Sequence, residues 1–204
     1  MRKTFLAAGF AALLSAASSI AQINTDFQIT KIDPSLEKTP QFNLTIGPQR
    51  RADSQNWLMV EVEFAYQPRN RNAPPFIDEL TFNYYILLAN NPKTPTLLTG
   101  TVTHTAIMAS KGMHSVAFVS PRTLQRFFDG KIPTNATTAT VAIGVTISVQ
   151  GQIVAELSTG KGKGQPNWWN QFQQTSGYVL NKNDTPFAPL FWDYYEALKV
   201  KPGA

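Results

Sequence analysis

The chain has 204 residues, with 18 Lys and Arg against 13 Asp and Glu, a formal net charge of +5, two histidines and no cysteine. That length suits one domain with a core of its own. The missing thiols exclude a disulfide framework, a cysteine nucleophile, a Cys-ligated metal and a lipid-modified N-terminal cysteine; without a basic stripe, the positive balance gives no footprint for nucleic acid.

Taken in chain order, the first element is a leader. Arg2 and Lys3 precede an apolar run from Thr4 to Ala17, and Ser19-Ile20-Ala21 sets small residues at the −3 and −1 positions. This pattern predicts a secretory signal peptide over residues 1–21, cut after Ala21. The run is shorter than the roughly 20 residues of a membrane-spanning helix. Residues 22–204 are therefore expected as a single exported domain without a transmembrane span, placed in the periplasm, at the outer membrane or on the cell surface. Gly9-Phe10 resembles a prepilin cleavage site. Cutting there would leave too short an apolar stretch for a pilus core, with Leu14 where pilins carry Glu, so the conventional leader is the better reading.

After residue 25 the dominant period is two. Short strands are predicted over Asp26–Ile32 and Gln41–Ile46, followed by a polar loop, Gly47–Asn56. Leu58, Val60, Val62, Phe64 and Tyr66 then alternate with Met59, Glu61, Glu63 and Ala65, a half-buried strand. Gln67–Pro75 reads as a loop. Leu80, Phe82, Tyr84, Ile86 and Leu88 make the next strand, followed by Leu97–Met108 and Met113–Val119. Ser120-Pro121 opens a short helix ending before Gly130, with a Ser cap and Pro in the first turn; Leu124, Phe127 and Phe128 share a face and are expected to cap one end of the fold. Val141, Ile143, Val145, Ile147 and Val149 alternate again, and Gln150-Gly151-Gln152 turns the chain into Ile153–Ser158 as a hairpin. Ser158–Asn167 is a Gly- and Lys-rich loop expected to be mobile. Thr185-Pro186 opens a final segment in which Pro189–Lys199 is expected to be helical, with Leu190, Phe191, Tyr194, Tyr195 and Leu198 on one side. About eight strands punctuated by Pro, Gly and Asn predict an antiparallel β-sandwich or barrel.

The candidate chemistry is thin. His104 and His114 are expected on neighbouring strands, but two imidazoles do not make a zinc site. Gly160–Gly164 lacks the spacing of a phosphate-binding loop. Asp78-Glu79 point to opposite faces of an extended segment, and Asp193/Glu196 read as a solvated helix edge. No catalytic set and no cofactor are expected. The remaining candidate is aromatic: Trp168-Trp169, flanked by Asn167, Asn170 and Gln171, is a candidate glycan or partner surface, in which flat rings stack on sugars and amides bond their hydroxyls. The plainer expectation is one Trp over the core and the other on a surface groove.

The strand around Trp57–Tyr66, the helix Ser120–Gly130 and the string from Tyr178 to Asp193 (YVLNKNDTPFAPLFWD) resemble the verrucomicrobial pilus-like protein family. The resemblance implies an immunoglobulin-like β-sandwich, encoded with a type IV pilus-like system and displayed at the cell envelope, with a structural or adhesive role and no defined catalytic site. It implies other envelope or pilus-like proteins as partners. If the protein self-associates, pairing through sheet edges is expected, with Gln22–Ile46 as the edge and Gln22–Ile32 dispensable for folding.

Overall fold

In the computed structural model, residues 26–42, 53–70 and 72–200 are described. The signal peptide, Gly9-Phe10 and most of the predicted strand Gln41–Ile46 lie outside the described residues. The strands are β1 (Phe27–Lys38), β2 (Asn56–Tyr66), β3 (Phe76–Leu88), β4 (Leu97–Met108), β5 (Ser110–Val119), β6 (Thr140–Val149), β7 (Gln152–Gly160), β8 (Gln174–Ser176) and β9 (Val179–Asn181). They form a four-stranded sheet in the order β1-β2-β5-β9 and a five-stranded sheet in the order β7-β6-β3-β4-β8. The first, second and fifth strands in one sheet, with the third, fourth, sixth and seventh in the other, are an immunoglobulin-like sandwich. β8 joins β4 in parallel, the one exception to the antiparallel pattern among the named pairs.

The period-two residues make the core. Leu58, Val60, Val62 and Phe64 of β2 meet Leu80, Phe82, Tyr84 and Ile86 of β3 across the sandwich, all fully buried. Phe64 and Phe82 pack edge to face, with centroids 4.9 Å apart. The β6–β7 hairpin pairs Val149 with Gln152. Its turn residues Gln150 and Gly151 have φ of 50° and 80°, the positive values a two-residue hairpin turn requires.

The capping helix is present as α1 (Pro121–Phe127). Ser120 Oγ accepts from the Thr123 N–H at 3.2 Å, and Leu124 enters the core. A second short helix, α2 (Ala136–Ala139), capped by Asn135, was not expected.

The predicted C-terminal helix over Pro189–Lys199 is absent. Phe191 has φ of 51°; Tyr194 and Tyr195 N–H close a single turn on the Phe191 carbonyl, and beyond it the backbone bonds to strands. Glu196 N–H donates to the His114 carbonyl at 3.1 Å, Thr105 N–H to the Ala197 carbonyl at 3.0 Å and Lys199 N–H to the Thr103 carbonyl at 2.8 Å. These bonds satisfy the main chain outside a helix, and of the five residues assigned to one apolar side Phe191 and Tyr194 are exposed.

β1 is an edge strand, longer than predicted, and is not a detachable arm. Phe27, Ile29 and Ile32 are in the core, and β1 pairs with β2 from Phe27 to Lys38. Deleting Gln22–Ile32 would remove core, so the expectation that it is dispensable is corrected.

Candidate functional site

Half-buried strands should present polar outer faces, and here part of each sheet's outer face is apolar instead. On the β1-β2-β5-β9 sheet, Trp57, Met59, Val116 and Phe118 point away from the sandwich core and form a separate apolar cluster. On the other sheet, Tyr85, Leu87, Leu97 and Ala142 do the same. Each outer patch is covered by a later segment of chain.

The first cover is the segment carrying the candidate residues. A single 3-10 turn, Trp168–Gln171, follows Asn167, whose φ is 53°. Trp168 and Trp169 are each only 3% exposed. Trp169 stacks on Tyr85 with centroids 4.3 Å apart and planes 8° from parallel. Trp168 Nε1 donates to Ser158 Oγ at 2.9 Å. The strands are shaped for these rings: a Cβ at Gly144 would lie 2.8 Å from Trp169, and one at Gly162 2.4 Å from the Trp168 indole nitrogen. The Gly/Lys segment is correspondingly a series of tight turns, with Gly162 N–H donating to the Thr159 carbonyl and Lys163 N–H to the Gly160 carbonyl; Gly162 is buried, while Lys161 and residues 163–167 are exposed.

Sugar stacking needs an open ring face, and neither tryptophan has one: both rings are buried, Trp169 against Tyr85 and Trp168 at the edge of a groove. Asn167, Asn170 and Gln171 are exposed. Gln171 and Trp168 border a groove of about 580 Å³, together with Asn91, Gln165, Lys93 and Lys161.

The second cover is the C-terminal strap. Phe187 stacks on Phe118 at 4.7 Å and meets the Trp57 ring edge to face at 5.8 Å. Tyr194 and Tyr195 donate their hydroxyls to the two carboxylate oxygens of Glu61 on β2, at 3.1 and 2.9 Å. Tyr194 also stacks on His114 at 4.0 Å, and His114 Nδ1 lies 3.3 Å from Glu61. Burial is the main reason the Tyr195 phenol is held well above its ordinary pKa, with Glu61 adding to it. Lys199 ends the strap in an ion pair with Glu79.

The strap is also read from inside the sandwich. His104 on β4 is 1% exposed. Its Nδ1 lies 3.0 Å from the Glu196 carbonyl, which only accepts, so Nδ1 carries the proton. Nε2 then accepts from the Ser115 hydroxyl at 2.7 Å, and Ser115 Oγ accepts from Tyr84 at 2.8 Å. Burial lowers the His104 pKa from 6.5 to about 4, so the imidazole is neutral. The two histidines therefore do not face each other: His104 grips the strap from the core side, His114 from the outer face. A Ser–His pair this enclosed, with the serine hydroxyl already shared with Tyr84, is built for holding strands together.

The strap leaves part of itself outside. Phe191 is 62%, Trp192 79% and Tyr194 46% exposed, the first two on a turn flanked by the anchors Leu190 and Tyr195. Beneath this ridge runs a groove of about 690 Å³ between the strap and the outer face of β2 and β5. Sequence reasoning missed this surface because a helix was assumed there. The signal that could have revealed the covers was the outward apolar register: Trp57 and Met59 with Val116 and Phe118, and Tyr85 with Leu87, each need a partner layer.

Among the described residues no group of His, Asp and Glu is placed to hold a metal ion, and no helix is long and apolar enough to cross a membrane. A protein-family model matches residues 18–202, nearly the whole chain. Among solved structures, a crystal structure of a protein from Akkermansia muciniphila matches with a TM-score of 0.72 at 21% identity, covering 86% of this chain and 93% of that one; at that identity the likeness is one of fold. No curated protein matches.

Proposed function

We propose, from the premise that the chain belongs to the family whose model covers residues 18–202, that it is a non-enzymatic, exported cell-envelope protein acting as a structural or interaction component of a pilus-like assembly. The observation that carries this reading is the ridge Phe191, Trp192 and Tyr194. Large exposed aromatics on one short, well-anchored segment are the composition of an interface core and unusual for a surface without a partner. The anchoring by Glu61, His104 and Phe187 supplies the rigidity that keeps the ordering cost of binding low. A fold neighbour from Akkermansia muciniphila and the resemblance to verrucomicrobial pilus-like proteins support the setting.

The test is photo-crosslinking in the native envelope. A crosslinking amino acid in place of Trp192 is expected to give a discrete adduct with another envelope protein, and the same group in place of Lys163, on the segment covering the other sheet, is expected to give none. Identical adduct patterns from both positions would remove the ridge from the proposal.

Self-association through sheet edges ranks below this reading. β1 carries Pro34, a bulge between Ile29 and Lys31, and exposed Lys31 and Lys38, all features that blunt an edge. The carbohydrate reading keeps one specific support, the groove beside Trp168, where Asn91, Gln165 and Gln171 offer amides. A glycan there would be held by hydrogen bonds along the groove. Binding to a glycan panel that Gln171→Ala weakens is the expected result for that reading, and no binding by the unmodified protein removes it.

A further inference from the structure

Lys182 is the most unusual charge in the molecule. It follows β9, at the start of the strap, and is 5% exposed. Its Nζ donates to the Ala188 carbonyl at 2.7 Å and lies 5.9 Å from the centre of the Tyr195 ring. Among the described residues no carboxylate is within ion-pair distance of it. An ammonium has three N–H donors, so a buried cation keeps unused donors and no counter-charge, a costly arrangement.

The same side chain lines the groove of about 690 Å³ under the aromatic ridge. Around it the wall is apolar: Met59, Phe118, Phe187, Leu190 and the Tyr195 ring. The groove therefore joins an unneutralised cation to a hydrophobic surface. Its rim carries Glu37, Glu61 and Asp193, with Lys38 beside them. Glu61 is engaged by the two tyrosines, and Glu37 accepts from Ser35 at 3.0 Å. No bond is made by Asp193 among the described residues. These carboxylates would face the hydrocarbon of a fatty acid without benefit, but they can accept N–H groups from a peptide backbone.

We infer that this groove receives the C-terminal end of an apolar polypeptide, its terminal carboxylate on Lys182, its last side chains against Phe118, Phe187 and Leu190, and its backbone N–H groups toward the acidic rim. A carboxylate gives Lys182 its missing counter-ion and hydrogen-bond acceptors, a charge-assisted contact in a partly desolvated site. Burial also lowers the Lys182 pKa, a cost that a bound carboxylate relieves by favouring the charged form. The inference rests on the reading of the strap as a partner surface and names the chemistry of the partner.

The experiment uses the purified protein and the tripeptide acetyl-Ala-Leu-Phe, as free acid and as C-terminal amide, followed by calorimetry and by chemical-shift changes at the Met59 methyl group. The free acid is expected to bind saturably and shift Met59, and the amide to bind at least about tenfold more weakly, because it forfeits a hydrogen-bonded charge pair. In Lys182→Met, acid and amide are expected to bind alike. Equal binding of acid and amide to the unmodified protein overturns the inference without reference to any variant, as does the absence of saturable binding of the free acid up to about 10 mM; Lys182 is then only the clamp that holds the 182–188 turn. Crosslinking at Trp192 in the envelope reads the partner surface separately, so failure of either result is distinguishable from failure of the other.

Discussion

The two segments that cover the outer sheet faces solve the same problem in different ways. The Trp168–Trp169 turn puts both of its large rings inward and presents Asn170 and Gln171 to solvent. The strap divides its aromatics: Phe187 and Tyr195 are turned inward, while Phe191, Trp192 and Tyr194 are left largely outside. Both close an apolar patch that the alternating strands left open, so both belong to the fold. Only the second also offers hydrophobic surface that the fold does not consume. The comparison teaches that tryptophan content alone does not mark a binding surface, and that what a ring touches on each face does.

The comparison breaks most visibly at the tryptophans. Trp169→Ala should cost about 3–5 kcal/mol of stability, because a buried ring stacked on Tyr85 is replaced by a cavity over Leu87 and Ala142. Trp192→Ala, at a residue 79% exposed, should change stability by no more than about 0.5 kcal/mol. Urea unfolding of the two variants measures the difference, and comparable losses would mean that the strap ridge is structural.

The next effect concerns how the strap is held from inside. His104 has a pKa of about 4 in the folded protein against 6.5 in a free chain. Between those values the unfolded chain binds the proton and the folded one does not. The contribution is therefore complete above pH 6.5 and is lost as pH falls toward 4, amounting to about 3 kcal/mol at the limit. Glu156 and Glu196, whose pKa values burial raises, act in the opposite sense. The decisive measurement is thus the difference in acid slope between the unmodified protein and His104→Asn, and equal slopes would refute the hold of a neutral His104 on the strap.

Two smaller changes sharpen the contrast. Gly144→Ala should cost about 1–3 kcal/mol by pushing a methyl group into the Trp169 ring, with the strap unaffected. Glu61→Gln should cost about 1–2 kcal/mol by weakening the acceptor shared by Tyr194 and Tyr195, and should speed proteolytic clipping near the C-terminus while leaving the Trp168–Trp169 turn protected. A variant that exposes both segments equally would show that they are one cooperative unit.

Local chemistry was readable wherever one stretch of chain carried the whole argument. The strand alternation of Leu58–Tyr66, the Gln150-Gly151 turn and the Ser120-Pro121 helix start each depend on neighbours within a few residues, and each appears as read; in Val141–Val149 the strand is present, but Val141 joins the outer cluster and Ala142 to Ser148 are buried on both faces. The C-terminal helix failed for the opposite reason. Leu190, Phe191, Tyr194, Tyr195 and Leu198 have helical spacing, but the backbone groups of Glu196, Ala197 and Lys199 found partners on β4 and β5, about ninety residues away along the chain in the case of His104 and Glu196. Long-range pairing overrode a weak local preference.

The candidate surface divides along the same line. From the sequence one can read that Trp168, Trp169 and the Phe191–Tyr195 run are aromatic and that no catalytic set accompanies them. Which ring faces are open depends on what lies above and below each one: Tyr85 and Gly144 for the first pair, Glu61, His114 and Phe118 for the strap. So the sequence by itself determined an alternating β-sandwich with a capped helix at one end. Tertiary packing alone decided that the tryptophan pair is a closure and the strap a surface, because burial is a property of contacts between distant segments and not of any residue type.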